Sequence, residues 1–466
     1  MGEHMKRLLC IIPLMLGLSG CFSPDYAAPA LPESIPQAYK EDGGRSARPA
    51  DAVFKGQWWT AFGDPTLNDL IGQADAANQN IAVASANLRK ARAQAASARA
   101  AFFPTIGASG SALRAGSSAG GAGATYSGGI SSQWEIGFWN ALPAFEAAKA
   151  GLQATAADYA SMQLLIRAET AQNYFQLRTL DMQHDLYEST IAAYAKAVQL
   201  TRSQFREGMV TAADVAQAEA QLASAEAQLA SLDGNWAVLE HSLAVLVGKL
   251  PSNFRLPAGE LHATLPDIPT DLPSTLLERR PDIAGAERRV AAANEVIGVS
   301  RAAWFPTVTL GASGVLSGDW MQAPLTTWSV GPSAALNLFD GGKRLAQGDV
   351  AWADYEATAA TYRQTVLTAF KDVEDSLSSL SWLAKQAEAQ DRAVAASETA
   401  LRLSLSQYRG GMTTYLQVVA TQTAALTNRR QALEVQGQRL ASSVNLIKAL
   451  GGGFRRSDID KLVEGD

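Results

Sequence analysis

The sequence predicts a mainly α-helical chain with a membrane β-barrel component, built as two tandem repeats. Three observations carry this. Ala101-Phe102-Phe103-Pro104-Thr105 returns as Ala303-Trp304-Phe305-Pro306-Thr307, a shift of 202, and Phe205-Arg206-Glu207-Gly208-Met209 returns as Tyr408-Arg409-Gly410-Gly411-Met412, a shift of 203. Two markers at nearly one offset mean that a large unit has been duplicated. Each copy then holds two segments of period two, one face apolar and the other small and polar, which is the pattern of membrane-barrel strands. Each copy also holds a very long helical run, 143–206 and 343–407, without an internal proline once started. About 65 residues at 1.5 Å each reach roughly 95 Å.

The elements follow in order. Lys6-Arg7 and the apolar stretch Leu8 to Leu18 form a positive start and a core too short to span a bilayer. Leu18-Ser19-Gly20-Cys21 resembles a bacterial lipobox. It predicts 1–20 as a signal peptide, with S-diacylglycerol and an N-acyl chain on Cys21 and no other cofactor. Three chains anchor far more firmly than one. Phe22, in place of Asp, resembles outer-membrane sorting. Residues 21–57 carry Pro24, Pro29, Pro32, Pro36 and Pro49 and read as an extended, lipid-anchored arm.

The first repeat spans 58–248. Asp64 is a helix N-cap with Pro65 at the first helical position, and helical spacing runs on to about Ala101. Strands are expected over about 105–138. Tyr126, Ile130, Trp134 and Ile136 alternate there with Ser127, Ser131, Gln133 and Glu135. In the long helix, Tyr159, Met162, Ile166, Thr170, Tyr174, Leu177 and Leu180 form one apolar stripe. The tip falls at about 206–212, where Gly208 can turn left-handed, and a return helix follows over 211–247. Residues 249–274, rich in proline, read as a linker. The second repeat spans 275–450, with strands at about 307–339, a tip at about 409–415 and a return helix over 413–449. Pro332 has no N–H for a ladder and belongs near a strand end or bulge. The tail 451–466 has no periodic apolar pattern.

Composition excludes several classes. The chain has 466 residues and a net charge of −6, which gives no reason to expect nucleic acid. Cys10 and Cys21 are its two cysteines, so the body holds neither a disulfide nor a cysteine metal site. The four histidines, His4, His184, His241 and His262, include no two at ligand spacing, which argues against a zinc enzyme. Asp372, Glu374 and Asp375 cluster on one helix, but no nucleophile–base pair stands beside them. Asp340-Gly341-Gly342-Lys343 lacks the spacing of a phosphate loop.

Leu276-Leu277-Glu278-Arg279-Arg280-Pro281-Asp282-Ile283 closely resembles a motif of the TolC-like outer-membrane factor family, efflux-lipoprotein (NodT-type) branch. Glu287-Arg288-Arg289, Ile297-Gly298-Val299, Trp58-Trp59 and Leu336-Asn337-Leu338-Phe339-Asp340-Gly341-Gly342-Lys343 resemble it too. The resemblance covers nearly everything after the signal peptide. It implies a homotrimer in which each chain lends four strands to a twelve-stranded barrel, with a long α-helical tunnel through the periplasm. Sharing strands removes the open edges that lipid does not tolerate. The implied partners are a periplasmic adaptor, an inner-membrane pump, most often of the resistance-nodulation-division type, and outer-membrane lipid. The implied function is passive, gated export of small molecules such as drugs, without catalysis. A type I protein-secretion duct and a non-conducting coiled-coil envelope spacer are the alternatives.

The resemblance also assigns residues. Arg279, Arg280, Pro281 and Asp282 are a structural motif: Pro281 starts a helix, Asp282 suits its dipole, and the arginines hold the tunnel body through charge-assisted bonds. Asp214 and Tyr408 match positions that form a closing hydrogen bond. Leu416 matches an apolar constriction. Gly208, Met209, Gly411 and Met412 are the tips that meet the adaptor. Ala420 stands where many relatives carry an acid, so the family's negative ring is absent there. Gly137 and Asn140-Ala141 stand where the family pattern has Asp and Gly-Arg.

Overall fold

The computed structural model describes residues 23–31, 33–41, 56–118, 120–136, 138–268, 273–319 and 324–464. The expected signal peptide and Cys21 lie outside them. The first repeat contains helices α1 (Pro65–Ala77) and α2 (Gln79–Ala100) and strands β1 (Thr105–Ser117) and β2 (Gly120–Glu135). Helices α3 (Phe138–Arg206) and α4 (Ala212–Leu246) complete it. The second contains α5 (Pro281–Ala302), β3 (Thr307–Asp319), β4 (Leu325–Ala335), α6 (Lys343–Arg409) and α7 (Tyr415–Ala449). A last helix, α8, spans Ser457–Glu464. The 69 residues of α3 and 67 of α6 correspond to about 100 Å each.

The strands form one antiparallel sheet in the order β1-β2-β3-β4. The hairpins of the two repeats meet at β2–β3, so β1 and β4 are open edges. Side-chain bonds repeat with the sequence. Ser111 Oγ meets Ser127 Oγ at 2.9 Å, and 202 residues on Ser313 Oγ meets Ser329 Oγ at 2.9 Å. Thr105 Oγ1 donates to the Gln133 carbonyl as Thr307 Oγ1 does to the Ala335 carbonyl. The register gathers the faces: Ala108, Ile130, Gly314 and Trp328 form one row, and Gly107, Ser131, Ser313 and Ser329 a row on the opposite face. The apolar face is bare in one chain, with Ile106 75%, Trp328 81% and Val330 67% exposed. Pro332 lies opposite Leu310, close to the end of edge strand β4, where a missing N–H costs little. Among the described residues no helix is long and apolar enough to cross a membrane.

Asp64 caps α1 as expected, accepting from the Thr66 and Leu67 amides at 2.9 and 3.2 Å. The helical stretch to Ala101 is two helices, not one. Asn78 ends α1 and caps α2, accepting from the Asn80 and Ile81 amides. Its side chain also donates to the Leu246 carbonyl at 2.8 Å, which locks the break. The first long helix starts at Phe138, earlier than the proline-free run suggested, with Pro143 inside it. As the sixth residue Pro143 lies past the free first turn, and the N–H that would reach the Trp139 carbonyl is missing.

The core lies around α1, α3 and α7. Trp58, Phe62, Leu67, Ile71, Tyr174, Phe175, Leu177 and Val444 are buried together. Of the expected linker 249–274, residues 249–268 pack against the body as a strap. Phe254, Leu256 and Ile268 are buried, and Arg178 donates to Asp181 at 2.7 Å and to the Pro257 carbonyl at 2.8 Å. The tail, expected to lack a periodic apolar pattern, forms an amphipathic α8: Ile459, Leu462 and Val463 share one face, and Ile459 is buried against Leu88, Leu152 and Ala156.

Candidate functional site

At the tip of the first repeat α3 ends in a left-handed glycine. Gly208 has φ +75, and the Met209 amide donates back to the Gln204 carbonyl at 2.9 Å. The second tip repeats this: Gly411 has φ +69 and the Met412 amide donates to the Gln407 carbonyl at 2.9 Å. This bond satisfies an orphan carbonyl at each helix end. Met209 and Met412 are left 62% and 75% exposed, so both tips present an apolar side chain to solvent.

The return helices start differently. In the first repeat Thr211 and Asp214 form a reciprocal capping box. The Asp214 carboxylate accepts from the Thr211 amide at 2.9 Å and from its hydroxyl at 2.8 Å, and the Asp214 amide donates to Thr211 Oγ1 at 3.3 Å. In the second repeat Thr414 makes no side-chain cap, and Gln417 occupies the position of Asp214.

The structure brings Asp214 and Tyr408 to the same tip but not into a bond. The Tyr408 hydroxyl donates to Gln204 Oε1 at 2.8 Å. Burial, followed by the nearby charge of Asp214, raises the Tyr408 pKa, and a hydrogen bond with Thr201 opposes the shift. The Tyr408 ring lies 5.6 Å from that of Tyr415, which packs with Val198, Ala218, Val418 and Val419. Leu416 is 65% exposed. With Gln417 and Ala420 it forms an uncovered face of α7 that carries no acid. Gln204 went unnoticed in the sequence. The signal was present: the repeated motif extends one residue further, to Gln204-Phe205 and Gln407-Tyr408.

The structural motif sits far from the tips. Arg280 is buried, and its Nε and Nη2 donate to the two oxygens of Asp282 at 3.0 and 2.7 Å. Its Nη1 donates to the Ala449 carbonyl at 3.1 Å, and Nη2 to Asp372 at 3.2 Å. Burial opposes its charge, but the bonds to Asp282 and Asp372 hold it above the ordinary arginine pKa. Pro281 opens α5 with Asp282 in its first turn. The acid cluster is absorbed by structure too. Glu374 accepts from the Lys40 and Glu41 amides of the arm at 2.8 and 3.0 Å, and Asp375 pairs with Lys371 at 2.6 Å. Asp340 accepts from the Gly342 amide and from Arg344 Nε at 3.1 and 2.7 Å, so it organises the start of α6. At the first junction Asn140 donates to Glu135 at 3.0 Å instead.

Among the described residues no nucleophile–base pair is assembled. A family model described as outer membrane efflux protein matches residues 70–249 and 272–452, one match per repeat. The chain is 33% identical over 425 residues to the pyoverdine export outer membrane protein OpmQ of Pseudomonas aeruginosa, covering 87% of this chain and 89% of that one. It is 32% identical to the toluene efflux pump outer membrane protein TtgF of Pseudomonas putida, covering 97% and 98%. The solved outer-membrane channel OprN superposes with a TM-score of 0.84 at 28% identity, covering 93% of this chain and 99% of that one. The chain belongs to the outer membrane efflux protein family and is a passive outer-membrane exit channel that reaches into the periplasm, not an enzyme.

Proposed function

We propose that three copies assemble into one duct that discharges small molecules delivered by a periplasmic adaptor and an inner-membrane pump. The carrying observation is the four-stranded sheet, open at both edges and apolar on one face, at the end of two helices of about 100 Å. Open edges in lipid leave backbone groups unpaired, and pairing β4 of one copy with β1 of the next removes them. The small-polar face then lines water. Such a wall offers a cargo few specific contacts, so selection belongs to the pump. The exposed Met209 and Met412 fit docking of an adaptor tip. An S-diacylglycerol and an N-acyl chain on Cys21 would add an anchor beside the barrel.

The test is electrical and by mass. Purified protein is expected to run as a trimer in native mass spectrometry and to give discrete conductance steps in planar bilayers. A non-conducting trimer would exclude the duct and favour the coiled-coil envelope spacer. Labelled palmitate is expected on the wild type and not on Cys21→Ser. Sensitising a deletion strain to small toxic compounds, with protein secretion unchanged, separates efflux from a type I secretion duct.

A further inference from the structure

We propose that His184, Asp185 and Glu188, backed by Asp233, form a site for a divalent transition ion of the zinc type on the helical body. His184 and Glu188 stand four residues apart on α3 and so share a face. One ligand atom from each of His184, Asp185 and Glu188 lies within 4.8 Å of the others. Zinc bonds of about 2.1 Å place tetrahedral donors about 3.4 Å apart. The gap is closed by rotation of exposed side chains, with water completing the shell.

Two further features favour a cation. The imidazole is flanked on both nitrogens: Nδ1 lies 4.0 Å from Asp185 Oδ1, and Nε2 lies 3.5 Å from Asp233 Oδ1. Metal-binding histidines use one nitrogen for the ion and the other for a supporting carboxylate, and these positions suit that division. The charge is also unanswered. Among the described residues no lysine or arginine pairs with Asp185, Glu188 or Asp233, whereas Asp372 and Asp375 each have a basic partner. Three carboxylates around one imidazole leave a deficit that a divalent ion fills.

Asp233 belongs to α4, so its contact with the ligating imidazole couples the site on α3 to α4. His184 is 22 residues from the end of α3 at Arg206, roughly 33 Å from the tip. The sequence requirement of two spaced histidines overlooked this set because one imidazole joined to carboxylates carries no motif.

The test uses the full chain in detergent, stripped with a chelator and titrated with zinc chloride by calorimetry. One zinc per chain is expected to bind, and this component is lost in His184→Ala. Asp233→Asn is expected to weaken it about tenfold. Cobalt chloride is expected to give a visible absorption band that His184→Gln lacks. Calcium chloride is expected to leave the zinc isotherm unchanged, since hard cations gain little from imidazole. An isotherm identical in wild type and His184→Ala, or zinc displaced by equimolar calcium, overturns the proposal.

Discussion

The Tyr408 hydroxyl of the second repeat donates to Gln204 of the first, and the mirror of this bond cannot form. The repeat offset of 203 places Tyr408 opposite Phe205 and Gln407 opposite Gln204. Phe205 has no hydroxyl, so the duplication supplies this tyrosine–glutamine bond once and not twice. Asp214, the partner that the family resemblance suggested, is already held by Thr211. Tyr408→Phe and Gln204→Ala are each expected to loosen the tip and raise single-channel conductance. Combining them should add little, because both remove one interaction. Wild-type conductance in Tyr408→Phe would exclude the bond as a latch.

Asp214 acts first on its own helix. Asp214→Ala removes the capping box and is expected to cost about 1 kcal/mol locally. Hydrogen exchange should quicken over the first turn of α4 while the start of α7, which has no side-chain cap, stays as it was. Thr211→Ala should do the same. A conductance rise in Asp214→Ala without faster exchange would point to direct contact with the gate instead.

Periodicity made the long elements legible. The strands, the long helices and the left-handed Gly208 and Gly411 follow from period, length and glycine placement. What escaped was tertiary. Asn78 breaks a helix because its side chain reaches Leu246, 168 residues away. The strap 249–268 is proline-rich like a free linker, yet Arg178 and Asp181 on α3 bind it at Pro257 and Gly259. Tyr408 meets Gln204, while Asp214 caps its own helix through Thr211. Each miss concerns a polar side chain with two available partners, and pattern does not choose between partners.

The sheet faces make a sharp prediction. Trp328 and Ser329 are neighbours on β4 but point to opposite faces, with Trp328 in the row of Ile130 and Ser329 bonded to Ser313. Trp328→Arg, on the lipid face, is expected to cost up to about 2–4 kcal/mol near the midplane. Ser329→Arg, on the lumen face, should assemble normally and alter ion selectivity. Reversal potentials and trimer yield together check both.

Alkaline pH should weaken the protein. Burial, then the neighbouring Tyr408 and Tyr194, push the Tyr415 hydroxyl up to about 12. Burial and a bond to Asp64, opposed by Arg178, push Tyr174 up to about 12. An unfolded tyrosine titrates near about 10. The folded state therefore favours the neutral phenol. Its contribution is complete below pH about 10 and is lost as pH rises through about 12. The melting temperature should fall across that window, and less steeply in Tyr415→Phe. An equal slope in both proteins would remove Tyr415 from the account.

Glu287 ties both chain ends to the body. It is buried, and it accepts from Tyr26 of the arm at 2.5 Å, from Arg288 at 2.5 Å and from Arg456, just before α8, at 2.8 Å. Burial raises its pKa, but the bonds from Arg288 and Tyr26 outweigh that and leave it low. Removing this carboxylate takes a charged partner from Arg288 and Arg456, whose side chains are 21% and 52% exposed, so water screens part of the loss and each pair is worth on the order of 1 kcal/mol. Glu287→Ala should therefore expose both the arm and the tail to limited proteolysis. Tyr26→Phe removes one donor to a charged acceptor, about 2 kcal/mol, and should free the arm alone. Ser23 to Glu295, Asn294 to the Pro24 carbonyl and Arg363 to the Ala30 carbonyl still hold neighbouring points of the arm. Cleavage in Tyr26→Phe is thus expected to be partial, with the α8 segment intact and conductance unchanged. Equal release of both ends by Tyr26→Phe would mean that the arm, and not Glu287, holds the tail.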